Sequence, residues 1–283
     1  MQYRTLSNGV ELPMIGYGTF QIKDAAQCEQ CISEALETGY RLFDTAASYE
    51  NEAAIGMALR DSGLPREEWF VTTKLWVQDA GYDGTLRAFE HSLENLGLDQ
   101  IDLYLIHQPF GDYYGAWRAM ERLYREGAVR AIGVSNFTPE RLVDLCMNQE
   151  FKPMVNQIEI HPFFQQNTAL RVMEDYGVVP QAWGPLSEAQ KDIFNHKTLA
   201  KIADRHGKTA AQVILRWHLQ RKIPTIPKTV HRGRMAENLD VFDFELTAKE
   251  MESIAGMDIG HSEIIDHHCF CTARQLNSVK IHT

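Results

Sequence analysis

The chain has 283 residues, of which 44% are hydrophobic and 23% are charged, and this length suits one large domain over residues 1–283. The formal net charge of -10 argues against a nucleic-acid partner, because binding to phosphates requires clustered lysines and arginines. No apolar run approaches the roughly 20 residues of a membrane span and the N-terminal sequence lacks the layout of a signal peptide, so we expect a cytoplasmic protein without a membrane partner.

The N-terminal residues predict a β-hairpin followed by a short strand. Asn8-Gly9 separates two alternating segments, which is the strongest short-range signal for a hairpin. Residues 14–20 are predicted to form the first strand of a sheet and its loop. Gly16 and Gly18 do not make a dinucleotide-binding fingerprint, because a third glycine and a βαβ unit with a distal acid are missing.

From there, helices and strands alternate. Apolar residues at helical spacing predict helices at about 25–38, 51–62, 84–96, 115–126, 138–146, 168–176 and 199–220. Apolar runs predict strands near residues 40, 70, 101, 129, 155, 178 and 223. Repeated strand-then-helix units indicate parallel strands with helices outside, and eight units close an α/β (β/α)8 TIM barrel. An open doubly wound sheet fits less well, because polar residues follow nearly every strand and do not gather at one switch point.

Three successive strands end in polar residues. Asp44 ends the strand near residue 40, and Tyr49 lies before a helix for which Asn51 is the predicted N-cap. Lys74 and His107 end the next two strands. Taken singly, such a lysine is usually solvated or ion-paired, and a tyrosine or histidine is usually a core residue. Together they predict a reactive site, because barrel enzymes do their chemistry where the strands end.

Later strand ends carry amide, hydroxyl and cationic groups. Ser135, Asn136 and Gln157 are suited to binding a carboxamide, although Asn and Ser are also common in turns. Lys228 and Arg234 lie near a predicted helix N-terminus, which favours an anion. A solvated cationic helix start is the ordinary alternative.

The five cysteines are few and odd in number, so we expect reduced thiols and no disulfide framework. Cys28 and Cys31 have the spacing of half a zinc or redox site, but they lie in a predicted helix without a second pair, which favours a structural role. The segment His267-His268-Cys269-Phe270-Cys271 offers more ligands. Adjacent ligands on one short segment seldom reach the same tetrahedral ion, so we predict no metal site.

These motifs together resemble the aldo/keto reductase superfamily over about residues 5 to 260. The resembling stretches are Gly39–Ala46 with Tyr49-Glu50-Asn51, Thr73–Trp76, Asp102–Pro109, Gly133–Phe137, Asn156–Glu159, and Ile226–Thr229 with Arg234, Glu237 and Asn238. The likeness is greatest to a bacterial branch that includes reductases of diketo sugar acids and of small dicarbonyls such as methylglyoxal. It implies a barrel whose closed end is capped by the N-terminal hairpin, and NADPH-dependent reduction of aldehydes and ketones to alcohols.

The resemblance also implies roles for individual residues. Tyr49 would donate the proton, Lys74 would lower the pKa of its phenol, and Asp44 would pair with Lys74. His107 would hydrogen-bond the carbonyl oxygen and orient it. The NADP(H) contacts would be Thr19, Asp44, Ser135, Asn136, Gln157, Trp183, Gly184, Pro185, Leu186, Lys228, Thr229, Arg234, Glu237 and Asn238. The substrate contacts would be Phe20, Tyr49, Trp76, His107 and Phe110.

By the same resemblance, one segment near the C-terminus binds the adenosine half of the cofactor. Lys228, Thr229 and Arg234 would bind the 2′-phosphate, which predicts a preference for NADPH over NADH. Glu237 and Asn238 would bind the adenine.

The remaining likenesses concern the nicotinamide and the loops. Trp183 would stack on the nicotinamide ring, where many relatives have tyrosine. The polar residues 184–196 would fold over the pyrophosphate as a clasp. After about residue 260 the resemblance weakens, and in the family this tail overhangs the substrate pocket. The substrate is therefore the property least open to inference.

Two other functions share some of these features. NADP(H)-binding barrels also act as regulatory subunits of ion channels without physiological turnover, and keeping the four polar residues does not exclude that role. A Ser/His/Asp hydrolase is disfavoured, because no Gly-x-Ser-x-Gly motif occurs and Ser135 is followed by Asn-Phe. We expect a monomeric enzyme acting on a small-molecule carbonyl substrate.

Overall fold

The structure, a computed structural model, describes residues 2–283, in which strands and helices alternate. The strands are β1 (Tyr3–Thr5), β2 (Glu11–Pro13), β3 (Tyr17–Gly18), β4 (Leu42–Asp44), β5 (Phe70–Leu75), β6 (Ile101–Ile106), β7 (Val129–Ser135), β8 (Val155–Glu159) and β9 (Val179–Trp183). The helices are α1 (Ala25–Thr38), α2 (Glu52–Asp61), α3 (Tyr82–Leu96), α4 (Tyr113–Arg125), α5 (Pro139–Asn148), α6 (Asn167–Tyr176), α7 (Lys197–His206), α8 (Ala210–Gln220), α9 (Arg232–Leu239), α10 (Ala248–Ala255) and α11 (Phe270–Ser278). Within residues 2–283, no helix combines the length and the apolar character needed to cross a bilayer.

Strands β3 to β9 form one parallel sheet in chain order. The segment around Thr225 completes it, because Thr225 forms parallel bridges with Ile15 before β3 and with Ala182 in β9. The backbone N–H of Thr225 donates to the backbone oxygen of Met14 at 2.9 Å, and the backbone N–H of Ala182 donates to the backbone oxygen of Pro224 at 2.8 Å. The predicted (β/α)8 barrel is confirmed, with an eighth position that is a bridge and not a full strand.

The N-terminal hairpin lies at the end of the barrel where the strands begin. Strands β1 and β2 pair antiparallel, and Gly9 in the turn has a φ of 86°, which favours glycine. Asn8 Nδ2 donates to the backbone oxygen of Arg130, at the start of β7, at 2.9 Å. The predicted hairpin is therefore confirmed, and the opposite end of the barrel is open for a site.

Helices pack on the barrel through apolar stripes. In α4 the buried residues Ala116, Trp117, Met120 and Leu123 recur at spacings of three and four, whereas Arg125 is exposed. The strands inside are almost entirely buried, as parallel strands covered by helices must be, and they bury polar residues such as Thr72 and Asn156 as well as apolar ones. This packing fixes the positions of the strand ends.

Two predictions about helices were wrong in detail. The helix predicted at 199–220 is two helices, because Gly207 ends α7 with a φ of 62° and Thr209 forms a capping box on α8. Asn51 precedes α2 as predicted, but its side chain does not cap the helix. Asn51 Nδ2 instead donates to the backbone oxygens of Thr19 and Ile22, at 3.0 and 3.1 Å, and so joins the loops after β3 and β4.

The cysteines divide into two groups. Cys28 and Cys31 are buried in α1, as their structural interpretation predicts, and Cys146 is buried as well. Cys269 and Cys271 form a disulfide, so the expectation of reduced thiols is wrong for this pair. The turn that starts α11 brings their Cα atoms to 5.3 Å, a separation that suits a disulfide. Among residues 2–283, no cluster of His, Cys, Asp and Glu is arranged to hold a metal ion.

Candidate active site

A cavity of about 840 Å³ opens at the end of the barrel where the strands finish. Most of the predicted site residues line it: Thr19, Phe20, Asp44, Tyr49, Trp76, His107, Ser135, Asn136, Gln157, Trp183, Gly184, Pro185, Leu186 and Lys228. The barrel therefore gathers residues as far apart in the sequence as Thr19 and Lys228 into one site.

A buried ion pair lies beneath this cavity. Lys74 pairs with Asp44, and the two residues are 0% and 1% exposed. Lys74 Nζ also donates to the backbone oxygen of Thr45 at 2.8 Å, and Gln157 Nε2 donates to the second carboxylate oxygen of Asp44 at 2.6 Å. Because an unpaired buried charge is very costly, these bonds are what allow an ammonium group to remain inside the barrel.

The pair is ionised. Burial is the largest single influence on Lys74 and acts to lower its pKa, but the charges of Asp44 and Tyr49 and the hydrogen bonds to them together outweigh it, and the pKa of Lys74 is raised. Burial raises the pKa of the Asp44 carboxyl, whereas the ammonium of Lys74 and the amide of Gln157 oppose this. The direct hydrogen bonds from both donors favour the carboxylate, so we assign Asp44 as charged.

Tyr49 stands above this pair, in a 3₁₀ turn (Ala47–Tyr49) that follows β4. Its hydroxyl lies 3.4 Å from Lys74 Nζ, which also lies 4.9 Å from the ring centroid. Burial raises the pKa of Tyr49, and the charge of Lys74 is the largest influence in the opposite direction. The expected effect of Lys74 on the phenol is therefore present, but it does not overcome burial.

His107 follows β6, and its ring contacts two aromatic residues edge-on. The ring centroids of Tyr49 and Trp76 are 5.6 and 5.3 Å away. Burial lowers the pKa of His107 well below its ordinary value, and Lys74 and His267 lower it further. The imidazole is therefore neutral at physiological pH.

Amide groups and an indole line the side of the cavity formed by β7 to β9. Trp183 Nε1 donates to Asn136 Oδ1 at 2.8 Å, and Asn136 Nδ2 donates to the backbone oxygen of His107 at 3.0 Å. Ser135 Oγ donates to the backbone oxygen of Gln157 at 2.8 Å. These bonds fix the indole beside the amides, next to the catalytic groups.

Two cations lie near the start of α9 without an acidic partner. Lys228 and Arg234 are exposed and form no ion pair within residues 2–283, whereas Arg232 between them pairs with Glu37 at 2.8 Å. Thr229 is buried beside them. Unpaired cations at a helix N-terminus are a suitable donor set for a phosphate.

Some predicted residues do not line the cavity: Lys74, Phe110, Thr229, Arg234, Glu237 and Asn238. The ring of Phe110, in the turn after β6, lies 5.7 Å from the guanidinium of Arg141, and its expected contact with the substrate remains a prediction. Glu237 accepts a hydrogen bond from Thr209 at 2.6 Å, and Asn238 is buried. Their expected contacts with the adenine remain predictions.

The tail, residues 259–283, supplies lining residues that the sequence did not single out. They are Ile264, Ile265, His267, Leu276 and Val279. Trp76 Nε1 donates to the backbone oxygen of Val279 at 3.0 Å, and His267 Nε2 lies 3.0 Å from Gln108 Oε1. The resemblance implied an overhanging tail, but no periodicity identified which of its residues reach the cavity.

The clasp, residues 184–196, contains a stretch with unusual backbone angles. Glu188 lines the cavity with a φ of 46°, and Lys191 has a φ of 51°. Lys191 Nζ lies 2.8 Å from Glu263, which joins the clasp to the tail. The contact was not predicted, because it links two segments that each lack a structural motif.

Known proteins are similar to this chain over most of its length. A family model described as "Aldo/keto reductase family" matches residues 14–259. A "Glyoxal reductase" of Bacillus subtilis (strain 168) is 46% identical over 254 residues, covering 89% of this chain and 91% of that protein. A "Morphine 6-dehydrogenase" of Pseudomonas putida is 44% identical over 269 residues, covering 90% of each. The crystal structure of a Bombyx mori aldo-keto reductase in complex with NADP matches with a TM-score of 0.88 at 32% identity, covering 94% of this chain and 96% of that one.

Proposed function

Since this chain belongs to the aldo/keto reductase family and reduces aldehydes and ketones with NADPH, we propose that Tyr49 donates the proton of this reaction. One observation carries the proposal: the Tyr49 hydroxyl faces the cavity and lies 3.4 Å from Lys74 Nζ. A phenol has an ordinary pKa of about 10 and gives up its proton reluctantly. A neighbouring ammonium stabilises the phenolate that remains, and so makes the transfer easier.

Lys74 and Asp44 act on the reaction through Tyr49. When the proton leaves, negative charge develops on the phenol oxygen, and the buried ammonium is already in place to stabilise it. Asp44 keeps Lys74 charged and in position, as the ion pair and the raised pKa of Lys74 indicate. These roles of Lys74 and Asp44 rest on the fixed geometry of β4 and β5, which are neighbours in the sheet.

His107 is proposed to hold the carbonyl oxygen. Its ring lies beside Tyr49 at the cavity wall and is neutral, so it can donate one hydrogen bond without a second positive charge close to Lys74. This bond would place the carbonyl oxygen between the imidazole and the phenol. The proton then moves from Tyr49 to that oxygen.

The residues around the cavity fit NADPH, which supplies the hydride when bound. Trp183 offers an aromatic wall held in place by Asn136. We assign the carboxamide to Ser135, Asn136 and Gln157, whose polar groups line the same wall. Lys228 and Arg234 have no acidic partners within residues 2–283 and would hold the 2′-phosphate.

We favour short dicarbonyls as the substrate class. The apolar part of the cavity lining includes Phe20 and Trp76 together with Leu276 and Val279 of the tail. The similarity to a protein named glyoxal reductase supports this choice, whereas the one to morphine 6-dehydrogenase favours bulky alcohols and ketones.

A carbonyl panel tests the proposal. Loss of NADPH absorbance is followed with methylglyoxal, glyoxal, diketo sugar acids, aldoses, aromatic aldehydes and a polycyclic ketone. We expect the highest kcat/KM for methylglyoxal and glyoxal. Highest activity on the polycyclic ketone would support the alternative class. Tight NADPH binding without turnover of any carbonyl would favour a regulatory barrel.

We also infer a cytoplasmic monomer without a nucleic-acid partner. The formal charge of -10 supports the last point. The most exposed large apolar side chains, Met147 and Phe270, belong to different helices, α5 and α11, and scattered apolar residues are normal on a monomer. Light scattering on the purified protein gives the mass in solution, and a dimer mass would contradict the inference.

A further inference from the structure

The two ring nitrogens of His107 have different surroundings. Nδ1 lies 3.3 Å from Ser48 Oγ. Nε2 has no hydrogen-bond partner in the part of the chain that the structure describes, and both His107 and Ser48 line the cavity. Ser48 immediately precedes Tyr49 in the same 3₁₀ turn.

A neutral imidazole carries one proton, and its position decides what His107 can do. With the proton on Nδ1, the ring would donate to Ser48 and present a bare Nε2 lone pair, which would repel a carbonyl oxygen. With the proton on Nε2, the Ser48 hydroxyl donates to Nδ1, and Nε2–H is free to bind the carbonyl.

Among the groups around the His107 ring, Ser48 is the one that can decide which ring nitrogen carries the proton. Lys74 is a cation and disfavours a second proton on His107, and His267 lowers its pKa further. His267 is itself occupied by Gln108. The Ser48 hydroxyl has no other partner within residues 2–283, so its proton is available for Nδ1.

We propose that Ser48 is a positioning residue, whose hydroxyl donates to Nδ1 of His107 and thereby keeps the imidazole proton on Nε2, toward the substrate. This inference rests on the proposed role of His107 in holding the carbonyl oxygen. The same 3₁₀ turn then carries both Tyr49, the proton donor, and Ser48, which sets the tautomer of His107. The edge contacts of the His107 ring with Tyr49 and Trp76 hinder its rotation. Since the ring cannot turn to exchange its two nitrogens, the bond to Ser48 decides which nitrogen carries the proton.

The test combines nitrogen NMR with kinetics on the full chain bound to NADP⁺. The ¹⁵N shifts of the His107 ring, assigned from their loss in His107→Gln, should show a protonated Nε2 and a bare Nδ1 in the parent. Ser48→Ala should give a mixture of tautomers and reduce kcat about two- to tenfold, the range of one hydrogen bond. Ser48→Thr keeps the hydroxyl and should recover the parent shifts. Ser33→Ala, which removes an exposed hydroxyl from α1, is the matched control and should change neither readout.

Several outcomes would overturn the inference. A parent with the proton on Nδ1 would have no Nε2–H to donate, and so would remove the proposed roles of both Ser48 and His107. A Ser48→Ala variant with unchanged shifts and kcat would remove the role of Ser48 while leaving that of His107 intact. In the His107→Gln background, Ser48→Ala should have no further effect on kcat, and an additional loss would show that Ser48 acts elsewhere. If His107→Gln itself keeps full turnover, the proposed role of His107 fails first, and Ser48 has no catalytic partner.

Discussion

The open end of the barrel and the tail both border the cavity, but they are held in different ways. At the barrel end, Lys74 and Asp44 are fully buried and bonded to each other and to Gln157. In the tail, by contrast, none of the residues 259–283 is buried. Its contacts with the barrel and the clasp are separate bonds, such as those of Trp76 with Val279 and of Lys191 with Glu263.

This difference suggests that the barrel end determines catalytic turnover and that the tail determines substrate preference. Asp44 and Lys74 lie on neighbouring parallel strands, and Tyr49 and His107 follow the ends of β4 and β6 in the same sheet. Their spacing therefore depends on the sheet and cannot change without disturbing the core. The tail can change residue by residue, because its contacts are separate bonds that are at most partly buried. We therefore expect substitutions at the barrel end to affect turnover for every carbonyl, and substitutions in the tail to affect carbonyls selectively.

The largest effect should follow loss of the Tyr49 hydroxyl. Tyr49→Phe keeps the ring and the neighbouring cation but removes the transferable proton, so kcat should fall about a hundred- to ten-thousandfold. NADPH binding, measured by fluorescence titration, should be retained. Tyr3→Phe, at a half-exposed tyrosine of β1, is the control. Turnover within about threefold of the parent at saturating NADPH would refute the assignment of Tyr49.

Lys74→Met should lower kcat to a similar extent and also destabilise the barrel. The variant leaves Asp44 buried without its partner, which typically costs about 3 to 5 kcal/mol. Urea unfolding gives the change in free energy, with the exposed Lys201→Met on α7 as the control. Adding Asp44→Asn should recover part of the stability but none of the activity. A stable and active Lys74→Met variant would contradict the coupling of structure and chemistry at this pair.

The same difference explains what the sequence could predict. The order of strands and helices and the polar strand ends are local patterns, and the structure gathers Asp44, Tyr49 and His107 as those patterns indicate. One error arose where distant contacts decide, because Asn51 bonds to the loop after β3 and does not cap α2. The split of the helix predicted at 199–220 and the Cys269–Cys271 disulfide are local features that the sequence reading missed. The tail forms hydrogen bonds with residues far away in the sequence, and no periodicity in its own sequence predicts these contacts.

Arg234→Ala tests the cofactor side of the barrel end. The 2′-phosphate occurs only in NADPH, so the loss of one charge-assisted bond should weaken NADPH about ten- to a hundredfold and leave NADH nearly unchanged. Arg232→Ala, which removes a cation already paired with Glu37, is the matched control. Equal losses for both cofactors would show that Arg234 supports the fold and not the phosphate.

Removal of residues 263–283 should alter substrate preference more than cofactor binding. The truncation deletes Ile264, His267, Leu276 and Val279 from the cavity wall, while the described groups at the barrel end remain. Relative kcat/KM values across the carbonyl panel should change several-fold. The Kd for NADPH should rise less than about fivefold, which is the change expected from loss of one exposed ion pair. Collapse of NADPH binding would mean that the tail is part of the structural core.

The smallest effect concerns Lys191 and Glu263, the one ion pair between the clasp and the tail within residues 2–283. Both side chains are partly exposed, at 42% and 34%, so solvent screens their attraction and a coupling of about 0.2 to 1 kcal/mol is expected. If the clasp closes over the cofactor, this coupling should appear in the dissociation rate of NADPH. A double-mutant cycle of Lys191→Ala and Glu263→Ala, measured by stopped-flow fluorescence, isolates it. The coupling should weaken at high salt, because exposed pairs are screened. A zero coupling at low salt would show that cofactor and substrate sides of the cavity are held independently, which would make the separation between barrel end and tail complete.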